Sequence, residues 1–182
     1  MKKVIVFFAD GFEECEGLII VDILRRAGIE TVTASVSGKL SVVSSHNVCV
    51  TADVLAEDAD YSSADMIVLP GGMPGTLNLA QNQLVTDQCR SFAENKAVAA
   101  ICAAPSVLSG LGLLEKKPAA CYPTFTEKLL ADGAVPSGEG VTVSGNIITG
   151  RALGSAIPFS LELVRQLSGP ETAERVKTAI CF

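Results

Sequence analysis

The chain has 182 residues, enough to bury a sizeable core without disulfide or metal staples. At 48% hydrophobic and 19% charged residues it falls outside the disordered class, which is poor in apolar and rich in charged side chains. A formal net charge of -6, with seven Phe, two Tyr and no Trp, argues against a phosphate backbone or stacked bases as partner.

The opening Met1-Lys2-Lys3 followed by VIVFFA imitates a signal peptide. Its apolar run is short, meets Asp10 and lacks a small-residue cleavage site, so a cytoplasmic protein is expected. Val4–Ala9 is a short β-rich run and reads as a buried strand, followed by a helix over 14–27. Next come a strand at Thr31–Ser35 and a hairpin over 40–52 appended at a sheet edge. Met66–Leu69 is a strand, 82–94 a helix, Val98–Cys102 a strand, and 104–110 and 125–131 are helices. Val141–Ser144 and Ile147–Thr149 flank Gly145-Asn146 as a second hairpin, and helices over 154–167 and 171–180 close the chain. Residues 97–114 carry no charge, but Pro105, Ser106, Ser109, Gly110 and Gly112 make them a buried strand–turn–helix rather than a membrane span. Strands alternating with helices imply βαβ crossovers and a mostly parallel sheet with helices on both faces, in one domain over 1–182. In such sheets ligands bind beyond the carboxyl ends of the strands, so the loops 9–16, 70–75, 102–105 and 150–154 should converge.

Three segments carry candidate chemistry. Cys102 ends a strand and opens a helix, with Ala100 and Ala104 as the small residues a nucleophile elbow needs and Pro105 in the first helical turn. A thiol there faces a helix N-terminus, which predicts a lowered pKa; a packed cysteine at a strand end fits the same string. Glu16 lies on the stripe of Ile20, Ile23, Leu24 and Ala27, whereas Glu14 falls on the solvated side with Arg25. Burial would raise the Glu16 pKa and make it a proton donor to Cys102; Glu13 suits the capping role better. Leu69-Pro-Gly-Gly-Met-Pro-Gly75 offers Gly71 and Gly72, whose N–H groups could join that of Ala103 in an oxyanion hole; a plain tight turn fits equally. The one histidine, His46, sits in a surface turn, which disfavours a Cys–His hydrolase. The cysteines at 15, 49, 89, 102, 121 and 181 include no CxxC pair, so no metal site and no disulfide scaffold is expected. Leu18 and Val21 lie off the buried stripe and, with the low charge density, point to a subunit contact.

Together the strings VIVFFADGFEECE, VDILRRAGI, DMIVLPGG, AAICAAP and TGRALGS resemble the ThiJ/PfpI superfamily (class I glutamine amidotransferase-like), on its Parkinson-associated, deglycase-like (DJ-one) branch. The resemblance implies a flavodoxin-like three-layer sandwich, a homodimer, and no cofactor. It makes Cys102 the elbow nucleophile, Glu16 its partner carboxylate, and Gly72 and Ala103 backbone donors. Gly71, Tyr122 and Arg151 join the substrate-binding set. The implied activity is glyoxalase- or deglycase-like, on methylglyoxal, glyoxal or glycated adducts. The alternatives are an oxidation sensor or chaperone signalling through Cys102, and a cysteine amidase or protease. The chain departs from the pattern twice: Ala103 stands where the protease branch has His, and Tyr122 where many deglycase-like members have His. A phenol donates a hydrogen bond but is a poor base near neutrality. A Cys102–Cys121 disulfide is a further alternative.

Overall fold

A computed structural model describes residues 1–182. The strands are β1 (Lys3–Phe8), β2 (Glu30–Ser35), β3 (Ser41–Val43), β4 (Cys49–Thr51), β5 (Val54–Leu55), β6 (Met66–Leu69), β7 (Ala97–Ile101), β8 (Pro118–Ala119), β9 (Val135–Pro136), β10 (Val141–Ser144) and β11 (Ile147–Gly150). The α-helices are α1 (Glu14–Arg26), α2 (Gly75–Gln81), α3 (Gln83–Asn95), α4 (Pro105–Gly110), α5 (Thr126–Ala131), α6 (Ala156–Ser168) and α7 (Pro170–Ala179).

Seven strands form the main sheet in the order β10-β11-β7-β6-β1-β2-β5. All neighbours are parallel except β10 and β11, which pair as the expected hairpin, Val141 opposite Gly150. The five main parallel strands thus carry the flavodoxin-like order, with its reversal between β1 and β6. Successive side chains of a strand point to opposite faces, and the buried residues divide accordingly. Ile5, Phe7, Ile67, Leu69, Val98 and Ala100 pack with Leu79, Val85, Phe92 and Leu108 from α2–α4. Val4, Val6, Phe8, Met66, Val68, Ala99 and Ile101 pack with Ile20, Leu24, Phe159 and Leu163 from α1 and α6. Both faces are covered, which is why these strands are continuously apolar rather than alternating.

Three features of the fold correct the sequence reading. The 40–52 hairpin pairs only with itself, as β3 and β4, and β5 takes the edge beside β2. The hairpin instead braces the β1–α1 loop: Gly11 N donates to Val43 O at 2.7 Å and Ser45 N to Phe12 O at 2.8 Å. Helix α2 has no counterpart in the sequence reading, which places 70–75 in a loop and starts the next helix at 82; its first residue is Gly75, where a Cβ would meet Phe12 N at 2.6 Å. Val21 is core, only 7% exposed, and not an outward apolar residue. Leu18, by contrast, is 41% exposed.

Candidate active site

The reversal between β1 and β6 brings the ends of β1, β6 and β7 side by side. Strand β7 stops at Ile101, and Cys102 takes φ 64°, a left-handed conformation that costs a non-glycine residue roughly 1–3 kcal/mol. The turn is held from both sides: Cys102 N donates to Gly150 O at 3.0 Å, and Tyr122 N to Cys102 O at 2.7 Å. Ala100 and Ala104 are fully buried and Ala103 is 2% exposed, so larger side chains have no room around the elbow. Cys102 itself is half-buried.

Glu16 enters from the first turn of α1 and is fully buried. Glu13 caps that helix, its Oε2 accepting from Glu16 N at 2.6 Å, while Glu13 N donates to Gly71 O at 2.9 Å. Gly71 N in turn donates to Glu16 Oε2 at 3.0 Å. Gly71 lies in the crevice between acid and thiol: a Cβ there would come 2.5 Å from Cys102 Cβ and 2.7 Å from Glu16 Oε2. Gly72, at φ 94°, has no room for a side chain against Glu13 N. The GlyGly pair is therefore required both by backbone conformation and by close approach.

Burial raises the Glu16 carboxyl to about 7, against the opposing influence of the Cys102 thiol and the Gly71 N–H. Its Oε1 is buried without a hydrogen-bond partner, a situation more costly for a carboxylate than for a neutral acid. Burial also pushes the Cys102 thiol up to about 12, with the Glu16 charge as second cause, while the Ala103 and Gly72 N–H groups pull it down. This overturns the expectation of a lowered thiol pKa. Helix α4 has only six residues and its N-cap is Ala104, so its terminal partial charge acts on the sulfur weakly compared with desolvation. The two acids behave as one unit that holds at most one negative charge near neutrality. The sulfur can carry that charge only when the proton sits on Glu16.

The structure thus brings Cys102, Glu16, Gly71, Gly72 and Ala103 together. Tyr122 adjoins them through its backbone and exposes 43% of its surface. Arg151 is directed elsewhere: its guanidinium donates to Gly138 O at 3.2 Å and lines a cavity with Cys121. All six cysteines are free thiols, including Cys102 and Cys121. His46 is exposed and its Nδ1 lies 2.9 Å from Glu14 Oε1, so Glu14 is not the solvated residue its helix face suggested. Its side chain is 12% exposed beneath the hairpin. Glu13, Glu14 and His46 form a cluster of metal-ligand type, but Glu13 is spent on the helix cap and the other two on each other.

The DJ-1/PfpI family model matches residues 2–166. The chain belongs to the DJ-1/PfpI family. It is 35% identical to Protein dj-1beta of Drosophila melanogaster over 96% of this chain and 94% of that protein. It is 38% identical to Protein DJ-1 homolog B of Arabidopsis thaliana, covering 96% of this chain but 40% of that relative. The chain therefore spans less than half the length of the Arabidopsis relatives it matches. A solved structure titled Toxoplasma gondii DJ-1, oxidized, superposes with a TM-score of 0.94 at 37% identity, covering 100% of this chain and 99% of that one. The flavodoxin-like sandwich and the family implied by the sequence motifs both stand. No helix is long and apolar enough to cross a membrane.

Proposed function

We propose that this DJ-1-like protein converts small α-oxoaldehydes such as methylglyoxal to the hydroxy acid, without a cofactor, as part of stress protection. The observation that carries the reading is a half-buried thiol on a strained elbow, facing a fully buried carboxyl across the Gly71 crevice. A relative named Glutathione-independent glyoxalase DJR-1.2, of Caenorhabditis elegans, supports it at 28% identity over 93% of this chain and 90% of that protein.

Cys102 does not need to exist as a free thiolate. The Glu16 carboxylate takes the thiol proton as the S–C bond to the aldehyde carbon forms, which removes the very charge that opposes sulfur ionisation. The Gly72 and Ala103 N–H groups receive the developing oxyanion, and the proton on Glu16 returns to it, giving a hemithioacetal. Glu16 then removes the C1 proton, and protonation at C2 of the enediol yields a thioester. Water cleaves the S–C bond, releasing lactate and restoring the thiol. The sequence is redox-neutral, and water is the only co-reactant.

The substrate has its site on one protomer; a second copy covers the apolar groove of Leu18, Ile19, Ile23, Ile157 and Ile180, making a homodimer. With six free thiols the protein suits a reducing cytoplasm. Nucleic acid and membranes are not its partners, in keeping with its net charge of -6. Early glycation adducts, the deglycase substrates, would enter by the same hemithioacetal chemistry. One observation favours a second reading, an oxidation sensor: Tyr122 supplies no base where family members carry His. An amidase or protease is disfavoured, because His46 is occupied with Glu14.

Lactate formation from methylglyoxal is measured for wild type and Cys102→Ser, alongside the wild-type mass after mild peroxide. Turnover abolished in the variant supports the enzyme. No lactate from wild type, with two oxygens gained on Cys102, overturns it in favour of the sensor.

A further inference from the structure

Cys121 is the second thiol near the elbow, and its surroundings differ in kind from those of Cys102. It lines a cavity of about 270 Å³ together with Thr126, Ser137, Glu139 and Arg151, and neither Cys102 nor Glu16 reaches that cavity. The residue is 7% exposed overall, so the cavity is its route to solvent. The walls are fixed by main-chain bonds: Ser137 N to Ala119 O at 2.9 Å and Arg151 N to Gly140 O at 2.9 Å. Ala120 N is tied to Thr149 Oγ1 at 2.9 Å.

Arg151 is what gives the cavity a ligand preference. Its Nη1 donates to Gly138 O at 3.2 Å, which holds the guanidinium at the cavity wall. Arg151 takes part in none of the ion pairs, although Glu139 lines the same cavity. The remaining N–H groups of the fork are therefore free, and a planar fork matches a carboxylate in bidentate fashion. Burial raises the Cys121 thiol pKa, and the Thr126 hydroxyl and then the Arg151 charge pull it back. Thr126 Oγ1 lies 4.0 Å from the sulfur, the one hydroxyl close to it.

We infer that this cavity is a second covalent-modification site, which takes small carboxylate-bearing disulfides: the carboxylate docks on Arg151 and Cys121 is captured as a mixed disulfide. The Cys121 thiolate attacks one sulfur of the reagent. The reagent's S–S bond breaks, a new S–S bond forms to Cys121, and the departing thiolate takes up the proton that Cys121 gave to solvent. The reagent is the oxidant, and half of it leaves as the reduced thiol. The inference does not depend on Cys102 chemistry, so it survives or falls separately from the glyoxalase reading.

The test uses the full-length Cys102→Ser protein with two disulfides of similar size and opposite charge, dithiodipropionate and cystamine, at equal concentration. Mixed-disulfide formation is followed at each cysteine by peptide mass mapping. Cys121 is expected to react on the order of tenfold faster with the dianion, the scale of one charge-assisted hydrogen bond. Cys15, which is exposed and flanked by Glu13, Glu14 and Glu16, should show the reverse order. Arg151→Gln should bring the Cys121 ratio near one, and Arg151→Lys should retain a preference for the dianion. Cys89, fully buried in the core, must stay unlabelled throughout and so reports that each variant is folded. Equal rates at Cys121 for the two reagents, a preference that persists in Arg151→Gln, or no labelling of Cys121 while Cys15 reacts, would each overturn the inference.

Discussion

Replacing Glu16 by Gln tests the proton shared at the elbow through stability rather than activity. The carboxyl moves from an ordinary 4.5 to about 7 because burial disfavours its charged form. The folded state therefore binds this proton more tightly than the unfolded chain does. The stabilisation is fully present below pH 4.5 and is lost as the pH rises through about 7. At about 1.4 kcal/mol per pH unit, the interval corresponds to roughly 3 kcal/mol. Gln has nearly the same shape and no charge to desolvate. Urea unfolding of wild type and Glu16→Gln from pH 4.5 to 8.5 should therefore show a difference that grows with pH in favour of the variant. The gain should approach about 3 kcal/mol above pH 8. Unfolded thiols begin to titrate at the upper end of this window, but the same six are present in both proteins and enter both curves alike. A difference between the two proteins that stays constant across the range would refute the buried, proton-holding carboxyl.

Two substitutions probe the space around that proton. Gly71→Ala places a methyl 2.5 Å from Cys102 Cβ and 2.7 Å from Glu16 Oε2, so one of the two must move. The expected cost is about 1–3 kcal/mol in thermal or urea unfolding, with at least tenfold loss of methylglyoxal turnover; a variant equal to wild type in both would mean the acid and thiol are not held in register. Tyr122→His supplies an imidazole on the residue whose N–H already binds Cys102 O. If the phenol limits proton transfer, kcat for methylglyoxal should rise on the order of 10-fold to 100-fold, and steady-state kinetics showing no gain would place proton transfer on Glu16 alone.

Much of the site was visible in single residues. The small side chains at Ala100 and Ala104 announced a tight turn at Cys102, and Glu16 on the stripe of Ile20 and Leu24 announced a buried acid. Both are local facts, written in side-chain size and helical period. The pKa of Cys102 was misjudged for the opposite reason. Its neighbours in sequence suggest a helix terminus and free amides, but burial raises it most and the Glu16 charge next, and only folding delivers either. Glu14 and Val21 were likewise assigned outward by helical period alone. The hairpin β3–β4 covers Glu14, and Val21 joins the core cluster of Ile20, Leu24 and Val42.

The amino-acid string by itself determined most of the strands and helices, α2, β5, β8 and β9 apart, and that the sheet is mostly parallel and covered on both faces; it also singled out Cys102 as the candidate nucleophile. Those properties follow from hydrophobic period, β-branching and turn sterics, each acting over a few residues. Tertiary structure alone decided where protons rest and which groups share a cavity. Arg151 joined Cys121 rather than Cys102, and the elbow thiol was raised rather than lowered. Desolvation and Coulomb interaction depend on distance in space, and no periodicity in a sequence encodes that distance.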